Sequence, residues 1–236
     1  MAGNNRNYQR EMEKIIEGLK GERKTLLLHS CCAPCSSAVL EKLQEIFEIT
    51  VFFYNPNISE SEEYGKRVEE QKRLIEAFNR KNPSYPIKVI EGDYEPKDFY
   101  EVAKGLEQCP EGGERCFCCF ALRLEETAKL AKEVNFDFFT TTLTISPLKN
   151  AAKLNEIGEE MAEKYSVTWL PSDFKKKEGY KRSIELSKEY GLYRQDFCGC
   201  AFSKAESLRN RKPKEELLQV CKEGKGRNFL EPDMKI

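Results

Sequence analysis

Ten cysteines stand in this chain of 236 residues, and most of them fall into three short clusters. The first cluster is Cys31-Cys32-Ala33-Pro34-Cys35, between a predicted strand and a predicted helix. Thiolates bind metals and carry redox electrons, and clustered cysteines in a reducing compartment favour that chemistry over structural disulfides. The alternative is that the three thiols are buried and chemically inert, but the close spacing of the cysteines argues against this alternative. The first cluster therefore predicts a metal or redox site.

The second cluster follows two glycines and contains Cys116 and Cys119 as a C-x-x-C pair, which we expect just before a helix. Such pairs occur in zinc sites, iron–sulfur sites and thioredoxin-like proteins. Together with Cys31 and Cys32 the pair supplies four thiolates, which fits a [4Fe–4S] cluster or a zinc site. Adjacent ligands are atypical of structural zinc, so we favour iron–sulfur. The roles of the remaining cysteines stay open: Cys35, Cys109, Cys118 and Cys221.

The third cluster is Cys198-Gly199-Cys200, two residues after Asp196. Two cysteines around a glycine can close a small, strained and easily reduced disulfide ring, which would suit a redox role. The competing interpretation is a pair of ligands to a second metal. Asp196 and Asp173 are candidate proton donors, although roles as cap or surface carboxylates are equally consistent with the sequence.

Some kinds of site are excluded by what the sequence lacks. The sole histidine, His29, rules out His-rich metal sites, and at a buried strand end it is best explained as a hydrogen-bonded structural group. Glycine-rich phosphate loops of the Walker or dinucleotide type are absent.

These clusters must be positioned by an alternation of strands and helices. Because strand and helix patterns alternate, we predict an α/β fold with a mostly parallel sheet flanked by helices. In such sheets the loops at the carboxyl ends of the strands build the site. The predicted strands are Lys24–His29, Ile49–Tyr54, Ile87–Ile90 and Phe136–Ile145; the predicted helices are Ser36–Glu48, Ser59–Arg80, Asp98–Leu106, Phe120–Glu133, Ala151–Tyr165 and Tyr180–Tyr190.

The chain is expected to have three parts. Residues 1–21 form an N-terminal helical extension, residues 22–205 an α/β catalytic domain with all the cysteine motifs, and residues 206–236 a polar, basic tail within a helical C-terminal part. No early segment resembles a signal peptide, and no run approaches the ~20 apolar residues of a membrane span. We therefore expect a cytoplasmic protein with no membrane partner.

The net charge of −1 does not point to nucleic acid, but basic residues gather late in the chain, between residues 175 and 228. A basic region near the chemistry suits the phosphates of a nucleic acid, although a solvated helix face is the better explanation for any single lysine. Nearby aromatic side chains could stack on an unpaired base, although core packing is their commoner role: Tyr180, Tyr193 and Phe197.

The motifs together resemble one known family, the epoxyqueuosine reductase QueH family. The resemblance spans roughly residues 22–205 and rests on four motifs in the same order: Cys-Cys-Ala-Pro-Cys-Ser, Gly-Gly-Glu-Arg-Cys-x-x-Cys-Phe, Thr141-Thr142-Leu143-Thr144-Ile145-Ser146-Pro147-Leu148-Lys149-Asn150, and Gln-Asp-Phe-Cys-Gly-Cys. Phe197 departs from the family, in which a tyrosine is common.

The resemblance implies an enzyme that reduces epoxyqueuosine to queuosine at the tRNA wobble position, the last step of queuosine biosynthesis, without cobalamin. It implies that Cys31, Cys32, Cys116 and Cys119 hold a [4Fe–4S] cluster. It also implies that Cys198 and Cys200 are a redox-active pair. The implied fold is similar to that of nucleotide α-hydrolase-like (Rossmann-like) domains. Here the first cysteine cluster takes the place of their phosphate loop, which argues against ATP use.

Deoxygenation of an epoxide to an alkene needs two electrons, two protons and loss of oxygen as water. A cluster delivers electrons singly, whereas a dithiol delivers two together with protons. The expected partners are tRNA carrying epoxyqueuosine and an unidentified electron donor, and a second mononuclear metal, iron or zinc, is a further possibility. Two alternative functions remain: a zinc-stabilised nucleic-acid-binding module, and a dithiol reductase that has no cluster.

Overall fold

The computed structural model of the chain describes residues 6–209. One parallel sheet forms its centre, with the strand order β3-β2-β1-β4-β5. The predicted α/β class is thereby confirmed. The strands are β1 (Lys24–His29), β2 (Phe47–Phe53), β3 (Lys88–Glu91), β4 (Phe138–Thr141) and β5 (Thr168–Trp169).

Helices cover both faces of this sheet. Residues 201–209 are also helical, and residues 210–236 of the predicted tail, including Cys221, lie outside the described residues. Within residues 6–209, every helix is too short or too polar to cross a lipid bilayer. The helices are α1 (Tyr8–Gly18), α2 (Ala33–Leu43), α3 (Ser61–Lys81), α4 (Pro96–Ala103), α5 (Glu114–Val134), α6 (Ala151–Tyr165) and α7 (Gly179–Glu189), with a short 3₁₀ helix at Thr142–Ile145.

Strand β1 explains why the core has two halves. Successive side chains of a strand point to opposite faces, so Leu26 and Leu28 pack into one hydrophobic cluster and Leu27 into the other. All three are fully buried, as expected for a central parallel strand covered by helices on both faces. A continuous apolar run is therefore the correct signature of this strand.

Several elements differ from the prediction. The helix predicted over Ser36–Glu48 runs instead from Ala33 to Leu43, and β2 already begins at Phe47. Helix α5 begins at Glu114 rather than Phe120, because Gly113 is extended and serves as the residue before the first turn, so Cys116 and Cys119 lie inside the helix. The strand predicted over Phe136–Ile145 ends at Thr141, whose hydroxyl accepts a hydrogen bond from Leu143 N and starts the 3₁₀ helix. Strand β5 has only two residues, too few for a sequence pattern.

The strand order places a switch point between β1 and β4. From β1 the chain continues outward through β2 and β3, and it later returns to build β4 and β5 on the other side. Crevices at such switch points, beyond the carboxyl ends of the strands, are the usual binding sites of open α/β sheets. Cys31 follows β1 and Thr142 follows β4, and the Cys31 N–H donates to Thr142 Oγ1 across this gap at 3.4 Å.

Candidate active site

The first cysteine cluster is a compact group of three thiols at the start of α2. The sulfur atoms of Cys31, Cys32 and Cys35 all lie within 4.8 Å of one another, and the Cys31 and Cys32 sulfurs are 3.8 Å apart. Cys32 is the residue before the first turn of α2, so the positive end of the helix faces this group. The geometry suits a thiol ligand set for a metal.

Hydrogen bonds beneath the three thiols hold this loop in place. His29 is fully buried, with Nδ1 2.8 Å from Thr141 Oγ1 and Nε2 3.1 Å from the Tyr54 carbonyl oxygen. Because a carbonyl oxygen only accepts, Nε2 carries the proton and Nδ1 accepts from the threonine hydroxyl. Burial lowers the pKa of His29 to about 3, so the ring is neutral. These contacts support the structural role predicted for it.

The pKa values of the three thiols are shifted in different directions. Contacts from the thiols of Cys32 and Cys35 lower the pKa of Cys31 well below its usual value. The contact with Cys31 raises the pKa of Cys32 to about 12, and contacts with Cys31 and Cys32 raise that of Cys35 well above its usual value. Cys31 is therefore the most acidic thiol of the group.

A second group of thiols lines a neighbouring space. Cys116 and Cys119 lie in the first turns of α5, and Cys198 and Cys200 lie in a turn after α7; all four border a narrow cavity of about 20 Å³. The sulfurs of Cys198 and Cys200 are 3.4 Å apart, and both residues are free thiols. The contact with Cys200 lowers the pKa of Cys198 well below its usual value. Cys198 is therefore the more acidic thiol of its pair.

Cys198 also borders a larger cavity of about 280 Å³, which the first cysteine cluster lines as well. The two cavities therefore adjoin. Cys31 and Cys116 pack against the same hydrophobic cluster, which brings the first cluster and α5 together. The residues common to both cavities are Glu111, Arg123, Leu148, Lys149 and Cys198.

Ser203 connects the Cys198–Cys200 pair to a carboxylate. Its hydroxyl accepts from the Cys198 N–H at 3.1 Å and donates to Glu111 Oε2 at 2.8 Å. Its own N–H points at the Cys200 sulfur at 3.3 Å. Ser203 is 1% exposed, so this network is shielded from water. Glu111 thus lies one hydrogen bond away from the residue that holds both cysteines.

Two cations border both cavities. Arg123 is 3% exposed, and it donates to the Cys119 carbonyl oxygen at 3.2 Å and to Asn55 Oδ1 at 3.3 Å. Within the part of the chain that the structure describes, no carboxylate lies at ion-pair distance from Arg123. Burial alone would lower the pKa of Lys149, but the nearby thiolates of Cys198 and Cys31 raise it, so the ammonium stays charged. The thiols therefore face positive charge from two sides.

The two carboxylates proposed from the sequence occupy different places. Asp196 borders the larger cavity and accepts from the Ser207 hydroxyl at 3.1 Å. Asp173 is buried, forms an ion pair with Lys175 at 2.8 Å and borders neither cavity. Cys109 and Cys118 also lie outside the linings of both cavities.

Several basic side chains of the late segment, among those that the structure describes, are paired with acids. Arg194 differs from them: it is exposed, borders the larger cavity and donates to Ser187 Oγ at 3.0 Å. Tyr180 and Phe197 also border this cavity, whereas the hydroxyl of Tyr193 contacts Glu63 at 3.2 Å. These ion pairs include Lys175–Asp173, Lys177–Glu13, Lys181–Glu178, Arg182–Glu41 and Lys204–Glu60.

Sequence reasoning left several site residues without a role. Cys35 and Lys149 lie inside quoted motifs, so their types and positions were available as signals. Arg123 and Arg67 lie on helices, where an arginine is normally on the solvent face, and only the tertiary structure shows their burial. Glu111 precedes the glycine pair of the second motif, and nothing in its spacing identifies it.

Comparison with known proteins shows the family to which the chain belongs. The family model described as "Epoxyqueuosine reductase QueH" matches residues 26–206, which include all three cysteine clusters. The curated protein "Epoxyqueuosine reductase QueH" of Staphylococcus epidermidis is 46% identical over 84% of this chain and 84% of its own length. Proteins of the same name from Streptococcus pyogenes (40% identical over 93% of this chain and 84% of that protein) and Thermotoga maritima (37% over 77% and 91%) also match. The chain belongs to the epoxyqueuosine reductase QueH family, and so to the oxidoreductases.

Proposed function

We propose that this chain is an iron–sulfur enzyme of the cytoplasm that reduces epoxyqueuosine to queuosine at the wobble position of tRNA. The observation that carries the proposal is the cavity of about 280 Å³ at the sheet's switch point, which is lined by Cys31, Cys32 and Cys198 together. Such a cavity has the dimensions of small-molecule sites. It brings an electron-carrying site and a dithiol to one substrate, without cobalamin.

The donor set at this site fits an iron–sulfur cluster. All the candidate ligands are thiols. The buried Arg123, which has no carboxylate at ion-pair distance within residues 6–209, borders both cavities with them, as expected if the assembly is anionic. The residues we propose as ligands of a [4Fe–4S] cluster are Cys31, Cys32, Cys116 and Cys119, with Cys35 in contact with the first two. The cluster would supply electrons one at a time.

The chemistry of the Cys198–Cys200 pair balances the reaction. The two thiols give up two electrons and two protons and become a disulfide. The epoxide loses both C–O bonds, its carbons form an alkene, and its oxygen leaves with the two protons as water. A one-electron donor of low potential, acting twice, then returns the pair to the dithiol with two further protons.

Asp196 is our proposed proton donor to the departing oxygen, because its carboxyl group borders the substrate cavity. It passes on one of the two protons that the thiols give up, so the balance of two protons per water is kept. A second mononuclear metal, iron or zinc, held by Cys198 and Cys200, is the competing account of the third motif. It would act as a Lewis acid on the same oxygen.

The direct test of function uses tRNA that carries epoxyqueuosine. Protein purified without oxygen is incubated with this tRNA and dithionite, and the digested nucleosides are analysed by mass spectrometry. We expect a product lighter by one oxygen atom that co-elutes with queuosine. Unchanged epoxyqueuosine with protein that holds its full complement of metal would reject the proposal.

Arg123 provides a prediction that does not depend on activity. If the thiolate assembly is the counter-ion of this buried cation, Arg123→Met should reduce the gain in stability on cluster loading by about 2 kcal/mol. That corresponds to roughly 4–8 °C in the shift of Tm between the metal-free and loaded forms. The lost hydrogen bonds to Asn55 and Cys119 are common to both forms and cancel in the difference.

The matched control is Arg115→Met. Arg115 is 2% exposed on the same helix, but its guanidinium donates to the carbonyl oxygens of Leu106, Glu107 and Cys109. This variant should lower the Tm of both forms equally. An unchanged loading shift in Arg123→Met would show that Arg123 does not compensate the charge of the assembly.

Binding of tRNA should depend on cations near the cavity. Arg194→Glu should weaken tRNA binding and lower the slope of log affinity against log salt by about 1, and charge reversal at residues 175–177 should weaken it further. Lys132→Glu, at the far end of α5 from the cysteines, is the control and should have little effect. Full affinity in both test variants would remove these residues from the interface.

A further inference from the structure

The Cys198-Gly199-Cys200 turn has no regular secondary structure, so other contacts must position it. The Cys198 carbonyl oxygen accepts from Arg67 Nη1 at 3.0 Å and from Asn57 Nδ2 at 3.4 Å. The preceding carbonyl oxygen, that of Phe197, lies 3.5 Å from Arg67 Nη2. One guanidinium therefore holds two consecutive peptide groups next to the reactive thiol.

Arg67 is itself fixed from behind. It is 2% exposed on α3, and Glu63, one turn earlier, accepts from its Nε at 2.7 Å. The phenyl ring of Phe197 also lies over the guanidinium, 5.3 Å from its central carbon. Because the side chain is held by a carboxylate on one edge, its other edge presents two N–H groups in a defined orientation. Arg67 borders the larger cavity, as Cys32 and Cys198 also do.

Gly199 shows how closely the turn approaches this support. Its φ of +117° lies in the region that favours glycine, and a Cβ there would come within 2.8 Å of Ile58 Cγ1 and 3.3 Å of Arg67 Nη1. The Gly199 carbonyl oxygen accepts from the Ser59 N–H at 3.1 Å. The turn is therefore pressed against the segment after β2 and against Arg67, with no room for another side chain.

Helix α3 carries a second arginine, Arg73, that makes similar contacts but lies away from the thiols. Arg73 pairs with Glu70 and donates to the carbonyl oxygens of Tyr190 and Gly191, at the beginning of the segment that leads to the turn. Its side chain is 48% exposed, and it borders neither cavity. It resembles Arg67 in chemistry and in attachment to this segment, but not in proximity to the thiols.

We propose that Arg67 is a positioning residue for epoxide reduction: it holds the Cys198 thiol between the two cavities by fixing the peptide groups of Phe197 and Cys198. This inference rests on the proposed function for the role of Cys198, but the attachment itself is independent of it. Ser203 fixes the Cys198 N–H, so the residue is held at both its N–H and its carbonyl oxygen. Arg67 governs where the thiol is, rather than how much substrate is bound.

Three variants test the proposal: Arg67→Met, Arg67→Lys and the control Arg73→Met. Hydrogen–deuterium exchange of the reduced, metal-free protein reports on the turn without activity. We expect the amides of residues 198–203 to exchange at least about tenfold faster in Arg67→Met, because hydrogen bonds from a charged group are lost. Arg73→Met should accelerate exchange near residues 190–193 and leave the turn unchanged.

Kinetics of the loaded enzyme give the second readout. In Arg67→Met, kcat should fall about 10²-fold with KM close to that of the original protein, since a misplaced reacting group slows the reaction without weakening binding. Arg67→Lys should restore part of kcat, and Arg73→Met should keep it. Unchanged exchange of residues 198–203 in Arg67→Met, or faster exchange with full kcat, would overturn the proposal. An unmutated protein that binds its cluster but reduces no epoxide would instead overturn the proposed function. The exchange experiment would still test whether Arg67 holds the turn, because it does not depend on activity.

Discussion

Replacing Cys198 or Cys200 by serine should stop epoxide reduction and leave the iron–sulfur cluster in place. The two sulfurs lie 3.4 Å apart, and Cys198 borders both the substrate cavity and the smaller cavity lined by Cys116 and Cys119. Serine keeps the shape but cannot form a disulfide. We expect turnover to fall by at least about 10³-fold, the scale that follows removal of a residue taking part in the bond changes.

Activity, visible absorbance and total metal should be measured on the same serine variants. If the pair instead holds a second metal, the metal count should fall by about one, because a ligand thiolate is lost. Cys118→Ser is the matched control, since Cys118 lies on α5 outside both cavity linings, and it should keep activity and all metal. Retained turnover in both Cys198→Ser and Cys200→Ser, with no loss of metal, would leave the motif as a structural turn.

Removal of any proposed cluster ligand should have an equally large effect on iron content. With alanine at Cys31, Cys32, Cys116 or Cys119, anaerobically purified protein should lose its brown colour and fall from about four iron atoms per chain towards none. Iron and acid-labile sulfide analysis of each variant checks this result.

Cys35→Ala is the informative comparison, because its sulfur lies within 4.8 Å of those of Cys31 and Cys32. We expect this variant to retain the cluster. If Cys35→Ala loses the cluster and Cys32→Ala retains it, then Cys35 rather than Cys32 is the ligand. If all five variants retain the cluster, it is not bound by the cysteines of these cavities.

The parallel sheet and the edge that carries the site were predictable because buried strands have a local signature. Lys24–His29 contains a run of apolar residues that only a covered strand accommodates, and the first cysteine cluster follows it directly. Parallel strands place their carboxyl ends at one edge, which locates the first cluster. The second and third clusters follow α4 and α7 rather than a strand, so their proximity to the first is a result of the tertiary structure. The start of α5 was harder to predict from the sequence, because glycines such as Gly112 and Gly113 normally break helices but here only precede one.

The residues that surround the thiols could not be predicted from sequence patterns. Arg67 and Arg123 have the spacing of surface residues, and their burial results from contacts with residues far away in the chain, such as Cys198 for Arg67. The basic segment shows the converse effect. Lys177 and Arg182 look like free cations in sequence, but they pair with Glu13 and Glu41 from distant elements.

The most direct test of the account is the absorption spectrum of the anaerobically purified protein, combined with counts of iron, sulfide and zinc. A [4Fe–4S] cluster predicts a brown protein with broad absorption near ~400 nm and about four iron and four sulfide per chain. A second mononuclear metal would add about one further iron or zinc. A colourless protein with one tightly bound zinc would contradict the account and favour a zinc-stabilised binding module, and full activity after complete removal of iron would favour a dithiol reductase.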